Sequence, residues 1–166
     1  MLKNLDNLVR EETQETIVNN PAIPNEHNED AISAASSSIS EVLQEKTSSG
    51  NYSEIAQLFQ GDQSSGNSIV DQIKNVFAGK LGGMGLGGAA ASGAAASIIP
   101  GLISKFVKRT NDPNDKGFDL QSMLKQFSGP DGKFDLNDVM GLFNKTGNNQ
   151  QSVGGIGDIL GGFFKK

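Results

Sequence analysis

The sharpest chemistry in this sequence is a run of acidic side chains at calcium-loop spacing. Asp131, Gly132, Phe134, Asp135 and Asp138 match positions five, six, eight, nine and twelve of an EF-hand loop. Such a loop must deliver six to eight oxygens to the ion. Its first half fails here, because positions one and three are Phe127 and Gly129. Position twelve is Asp138, one methylene shorter than the bidentate Glu usual there. An earlier loop offers Asn111 and Asp115, but Pro113, Lys116 and Ser122 fall where a ligand, the turn glycine and the closing carboxylate belong. Capped helix ends account for the same aspartates without a metal. Calcium binding is therefore an alternative, and no resident cofactor is expected.

Other catalytic sets are thinner. The chain has no Cys and one His, which excludes disulfides, thiolate nucleophiles and a His-based metal cage within one chain. His27 sits in "NNPAIPNEHNED" and reads as an exposed residue at a helix start; no Ser or Asp pairs with it by spacing. Lys80 follows a single glycine, and "GLGG" lacks the Lys-Ser/Thr of a P-loop. No strand precedes the glycines, as a dinucleotide site requires. Glu11, Glu12 and Glu15 read as a solvated helix face. With no base, nucleophile and orienter to name, the expectation is a protein that is not an enzyme.

The elements that would position any site are helical. Leu2, Leu5, Leu8 and Val9 mark one face of a helix running to about Thr16. Pro21 and Pro24 break it. A second helix begins near Asn25 or Asn28, either of which has the side chain to cap it, with Ile32, Ala35, Ile39, Val42 and Leu43 as its buried stripe. Ser53 caps a short helix carrying Ile55, Leu58 and Phe59. After the connector "GDQSSGN" comes the clearest amphipathic signal: Ile69, Val70, Ile73, Val76, Phe77 and Leu81. Ile98, Ile99, Leu102, Ile103, Phe106 and Val107 then line a helix ending at Arg109. Pro100 predicts a break or kink near Ser97, with Ser97 capping the second piece.

Between those last two helices, residues 81–104 run for twenty-four positions without a charge. Gly85, Ala89, Gly93, Ser97 and Gly101 recur every fourth position, which stacks small residues on one helix face and permits close backbone approach. The same pattern drives helix pairing in membranes. A span, however, needs about twenty predominantly apolar residues, and most of this stretch is Gly, Ala or Ser. The reading is a tightly packed soluble helix pair, with the glycine-rich residues 81–86 as a loop.

Further on, "DKGFDLQSMLKQF" and "DGKFDLNDVMGLF" repeat sixteen residues apart. Asp119 and Asp135 are natural N-caps, and Phe118/Met123 and Phe134/Val139 have hydrophobic-staple spacing. Two short helices, 120–127 and 136–143, are expected. The tail carries Val153, Ile156, Ile159, Leu160, Phe163 and Phe164 at three- and four-residue steps before two lysines. It reads as self-docking or disordered, with an amphipathic anchor for a membrane surface or a partner groove as the alternative.

The glycine-rich loop, "GGAAASGAAASIIPGLISKFVKR" and "GFDLQSMLKQF" together resemble the YidB-like family of bacterial proteins, over about residues 66–127. The resemblance implies a small, all-helical cytoplasmic domain and transfers no catalytic residue.

Charge is uneven. Residues 1–60 carry a net −7 and residues 105–166 a net +2, within −5 overall. With no basic stripe, nucleic-acid binding is disfavoured. "MLKNLDNLVREE" lacks a signal-peptide pattern, so the expected location is the cytoplasm.

The whole reads as an all-α protein, a small helical bundle with a Gly/Ala-rich central helix and flexible termini. Its expected divisions are an N-terminal helix (1–19), a linker (20–27), a helical core domain (28–110), two short capped helices (111–145) and a Gly-rich apolar tail (146–166). The expected role is a structural or interaction protein that associates with itself or with another protein. The interaction residues are Gly85, Ala89, Gly93, Ser97, Ile156, Ile159, Leu160, Phe163 and Phe164. A membrane-surface or glycine-zipper protein is the first alternative, and a weak calcium-binding EF-hand-like module the second.

Overall fold

The computed structural model describes residues 2–14, 16–59, 68–112 and 114–118. These form an all-α bundle of five packed helices, with no strand among the described residues: α1 (Leu2–Thr13), α2 (Asn28–Ser48), α3 (Tyr52–Phe59), α4 (Ser68–Gly83) and α5 (Gly88–Thr110). One-turn 3-10 helices stand at Asn25–His27 and Lys116–Phe118.

The apolar stripes expected on α2, α3 and α5 are buried throughout. On α4 only Val76 is half-exposed. They join one continuous core whose largest fully buried side chains include Phe59, Phe77 and Phe106. Phe59 packs on Phe106 with ring centroids 5.8 Å apart. Burying a large apolar side chain stabilises by about 1.5–3 kcal/mol, so these rows outweigh local propensity. Buried hydroxyls cost little here because each bonds a carbonyl four residues back in its own helix. Ser38 donates to Ala34 O, Thr47 to Leu43 O and Thr110 to Phe106 O.

The N-terminal helix joins this core. Leu5, Leu8 and Val9 are buried, and α1 runs antiparallel along the first half of α2. Arg10 Nη1 reaches both oxygens of Glu29, at 2.7 and 2.8 Å. Four residues earlier, Asp6 accepts from Ser36 Oγ at 3.0 Å. The helix stops at Thr13 rather than Thr16, and the chain then turns so that Ile17 and Ile23 also enter the core. Those two anchors fasten a segment that its prolines and asparagines mark only as a break.

α2 starts at Asn28, one of the two expected starts, but without the expected cap. Neither Asn25 nor Asn28 caps it by a side-chain bond. A 3-10 turn feeds directly into the helix at Asn28, and His27 is the half-buried capping residue. His27 stands 3.7 Å from Glu26 and 3.9 Å from Asp30. On α3 the first helical residue is Tyr52, so Ser53 lies inside the helix rather than capping it.

Two corrections concern the hairpin of α4 and α5. Residues 81–83 are helical, and the turn is confined to the next four residues, where Gly85 has φ +97°. Leu81 is fully buried and holds the last turn of α4 onto the core. The predicted break at Ser97 is absent, and α5 continues through Pro100. Proline there removes one donor and crowds the carbonyl of residue 96. Ala96 is exposed, so water can serve its carbonyl, while Ile98, Ile99, Leu102 and Ile103 bury the other side of the same turns.

Candidate interaction surface

The side of α5 turned into the bundle consists of Ala91, Ala94 and Ala95, followed by Ile98, Ile99, Leu102, Ile103, Phe106 and Val107. The alanine rows let α5 lie close to its neighbours. The four-residue stripe does not: Gly85, Ala89, Gly93, Ser97 and Gly101 are all exposed. The tight packing expected of that stripe inside the bundle is therefore not what these residues do. The large side chains of α5 capture the core, and the four-residue row is turned to solvent.

The glycines of this surface meet no neighbour. A Cβ built at Gly79, Gly82, Gly83, Gly88, Gly93 or Gly101 would touch nothing within 4 Å. Glycine inside a helix costs about 1 kcal/mol relative to alanine, and no contact within the described fold requires it at Gly93 or Gly101. Exposed small residues thus stand at the end of α4 and along the outer side of α5, where a second backbone could come close.

The residues Gly88–Thr110 are long and apolar enough to cross a membrane, the one such helix among those described, yet half of its apolar eighteen-residue window is buried inside the bundle. The side chains that supply its hydropathy are the ones that face the core. Its outward positions are mostly Gly, Ala and Ser.

Compared with known proteins, the chain matches no family model, no curated relative and no solved structure.

Among the described residues no three His, Cys, Asp or Glu side chains gather as a metal site. The earlier calcium-loop residues are otherwise engaged. Asn111 Nδ2 donates to Phe59 O at 2.9 Å. Asp115 accepts from Arg109 Nε through Oδ2 and from Gly117 N–H through Oδ1. Asp131, Asp135 and Asp138 lie outside the described residues. So do Ile156, Ile159, Leu160, Phe163 and Phe164, the capped helices at 120–127 and 136–143, and the 61–67 connector. A groove of about 550 Å³ opens between α1 and α2, lined by Lys3, Leu5, Asp6, Ser33, Ser36 and Ser40 among others.

Two polar constellations escaped the pattern reading. The first joins α2, α3 and α4. Lys46 Nζ lies 2.7 Å from Glu54 Oε2, and Ser68 Oγ donates to the same oxygen at 2.7 Å. These bonds hold the Glu54 carboxyl below the usual carboxylate range, Lys46 contributing most and Ser68 next. The signal was available, because Lys46 follows Val42 by four and Ile39 by seven, within the buried stripe. The second lies where α1 meets the end of α5. Glu12 pairs with Lys105 at 3.3 Å and Glu11 with Arg109 at 3.5 Å. The acidic face of α1, read from sequence as solvated, and the basic end of α5 face one another.

Proposed function

We propose that this chain is a non-enzymatic helical interaction protein that associates with itself through the exposed small residues of α4 and α5. The observation that carries the reading is the outward position of Gly93 and Gly101. Both sit mid-helix, where glycine is unfavourable, and both have open space where a side chain would go. A closely approaching second helix supplies the reason for small residues that the fold itself does not.

Light scattering on a size-exclusion column tests it. The proposal expects a mass above the 17.5 kDa of one chain, reduced to one chain by Ala89→Leu combined with Gly93→Leu. A wild-type chain that stays monomeric at every concentration refutes it. The second reading, attachment to a bilayer, draws on the length and composition of Gly88–Thr110. It expects the chain to sediment with zwitterionic vesicles and to stay in the supernatant without them.

A further inference from the structure

Arg109, at the end of α5, stands where segments from two distant parts of the chain meet. Its Nη1 lies 3.5 Å from Glu11 Oε2 on α1. Its Nε donates to Asp115 Oδ2 at 2.8 Å. Its guanidinium carbon lies 4.7 Å from the ring centroid of Phe118. The Phe118 ring is 3% exposed and meets Phe106 edge-on at 6.1 Å. A second link bypasses the arginine: Asn4 Nδ2, on α1, donates to Gly117 O at 2.9 Å. The fit is close, since a Cβ at Gly117 would lie 3.2 Å from Asn4 Nδ2. Segment 115–118 thus rests on α1 and α5 together, and α1 rests in turn on that segment.

We propose that Arg109 is the centre of a latch through which α1 and segment 115–118 dock and release as one unit. A helix of twelve residues is marginal on its own. The polar ties of α1 to α5 are exposed ion pairs, each weak when taken singly. The Phe118 ring confines the guanidinium that reaches Glu11, and the backbone beside that ring accepts from Asn4. Withdrawing Phe118 weakens these two links, leaving α1 to its apolar face and its Arg10–Glu29 and Asp6–Ser36 ties to α2, and by reciprocity freeing α1 loosens Phe118. Any partner that takes the Phe118 ring would therefore make opening of α1, and with it exposure of Leu5, Leu8 and Val9, more frequent. This coupling lies within one chain and is independent of self-association.

Native-state hydrogen exchange on the full chain tests it, because a cooperative unit opens as a whole. In Phe118→Ala the amides of residues 8–13 should exchange about tenfold faster, within the range for residues sharing one network, while those of residues 73–81 on α4 keep wild-type rates. Asn4→Ala should in turn speed exchange at the Phe118 N–H. Unchanged α1 rates in Phe118→Ala overturn the proposal. An equal acceleration of α1 and α4 does so too, since it shows only global loosening. Should Phe118→Ala not fold, Asp115→Asn is read by the same two criteria.

Discussion

Glu54→Ala should destabilise the bundle more than Lys46→Met, although the two substitutions break the same ion pair. The reason is unequal burial. The Lys46 side chain is 10% exposed and that of Glu54 is 38% exposed. Removing Glu54 leaves an ammonium with no partner in a nearly closed site and deprives Ser68 of its acceptor. Removing one partner of a fully buried pair costs about 3–5 kcal/mol, and loss of an exposed pair costs about 0–1 kcal/mol. The open side at Glu54 lets water reach the ammonium in part, so the expected cost is about 1–2 kcal/mol, between those limits. Lys46→Met keeps the apolar stem and leaves a carboxylate already half in water, so its cost should stay below about 1 kcal/mol. Urea titration of the two single variants and the double variant measures this, and the double variant should recover much of the Glu54→Ala loss. A Lys46→Met variant as destabilised as Glu54→Ala would show that the lysine is held by its carboxylate for some reason other than burial.

The same carboxylate sets a pH dependence. Its folded pKa is lowered by Lys46 and then Ser68, so its contribution is complete above the unfolded-chain value of about 4.3 and is lost as pH falls through the lowered folded value. Stability measured between neutral pH and pH 3 should fall less steeply in Glu54→Gln than in wild type. In the dissociated chain, at concentrations too low for self-association, Gly93→Ala and Gly101→Ala should each raise stability by about 1 kcal/mol, because a methyl group there meets open space in a helix. At concentrations where the chain self-associates, the same methyl groups should weaken the association, which light scattering reads. Gly85→Ala should lower stability, by about 1–2 kcal/mol, since φ +97° disfavours any Cβ; thermal unfolding separates the signs. Phe77→Ala, in the centre of α4, should cost about 3–5 kcal/mol in urea, the range for a fully buried aromatic ring.

Much of the bundle was legible from spacing. Ile32, Ala35, Ile39, Val42 and Leu43 repeat at helical steps, and such a stripe has one stable use, which is burial against other stripes. The same holds for Ile98 through Val107. What misled was local chemistry judged alone. Pro100 predicted a break, but flanking isoleucines and leucines buried on one side hold the helix together through it. The glycines after Leu81 predicted a loop, but Leu81 anchors another turn. Asn25 and Asn28 had the right type for caps, and a 3-10 turn took that place instead.

The candidate surface was legible only as a list of small residues. A four-residue period of Gly, Ala and Ser determines that one side of a helix is smooth. It does not determine whether that side faces inward or outward, because small side chains gain little from burial and so exert little pull. The neighbouring large side chains decide, by claiming the core, and they turn Ala89, Gly93, Ser97 and Gly101 to solvent. Residue types and their periods therefore settled the helices and which rows are apolar. Partners remote in sequence were settled only by folding: Lys46 with Glu54 and Ser68, Arg109 with Glu11 and Phe118, and Asn4 with Gly117. Such contacts depend on where helices cross, and a crossing is set by the packing of the whole core rather than by any one segment.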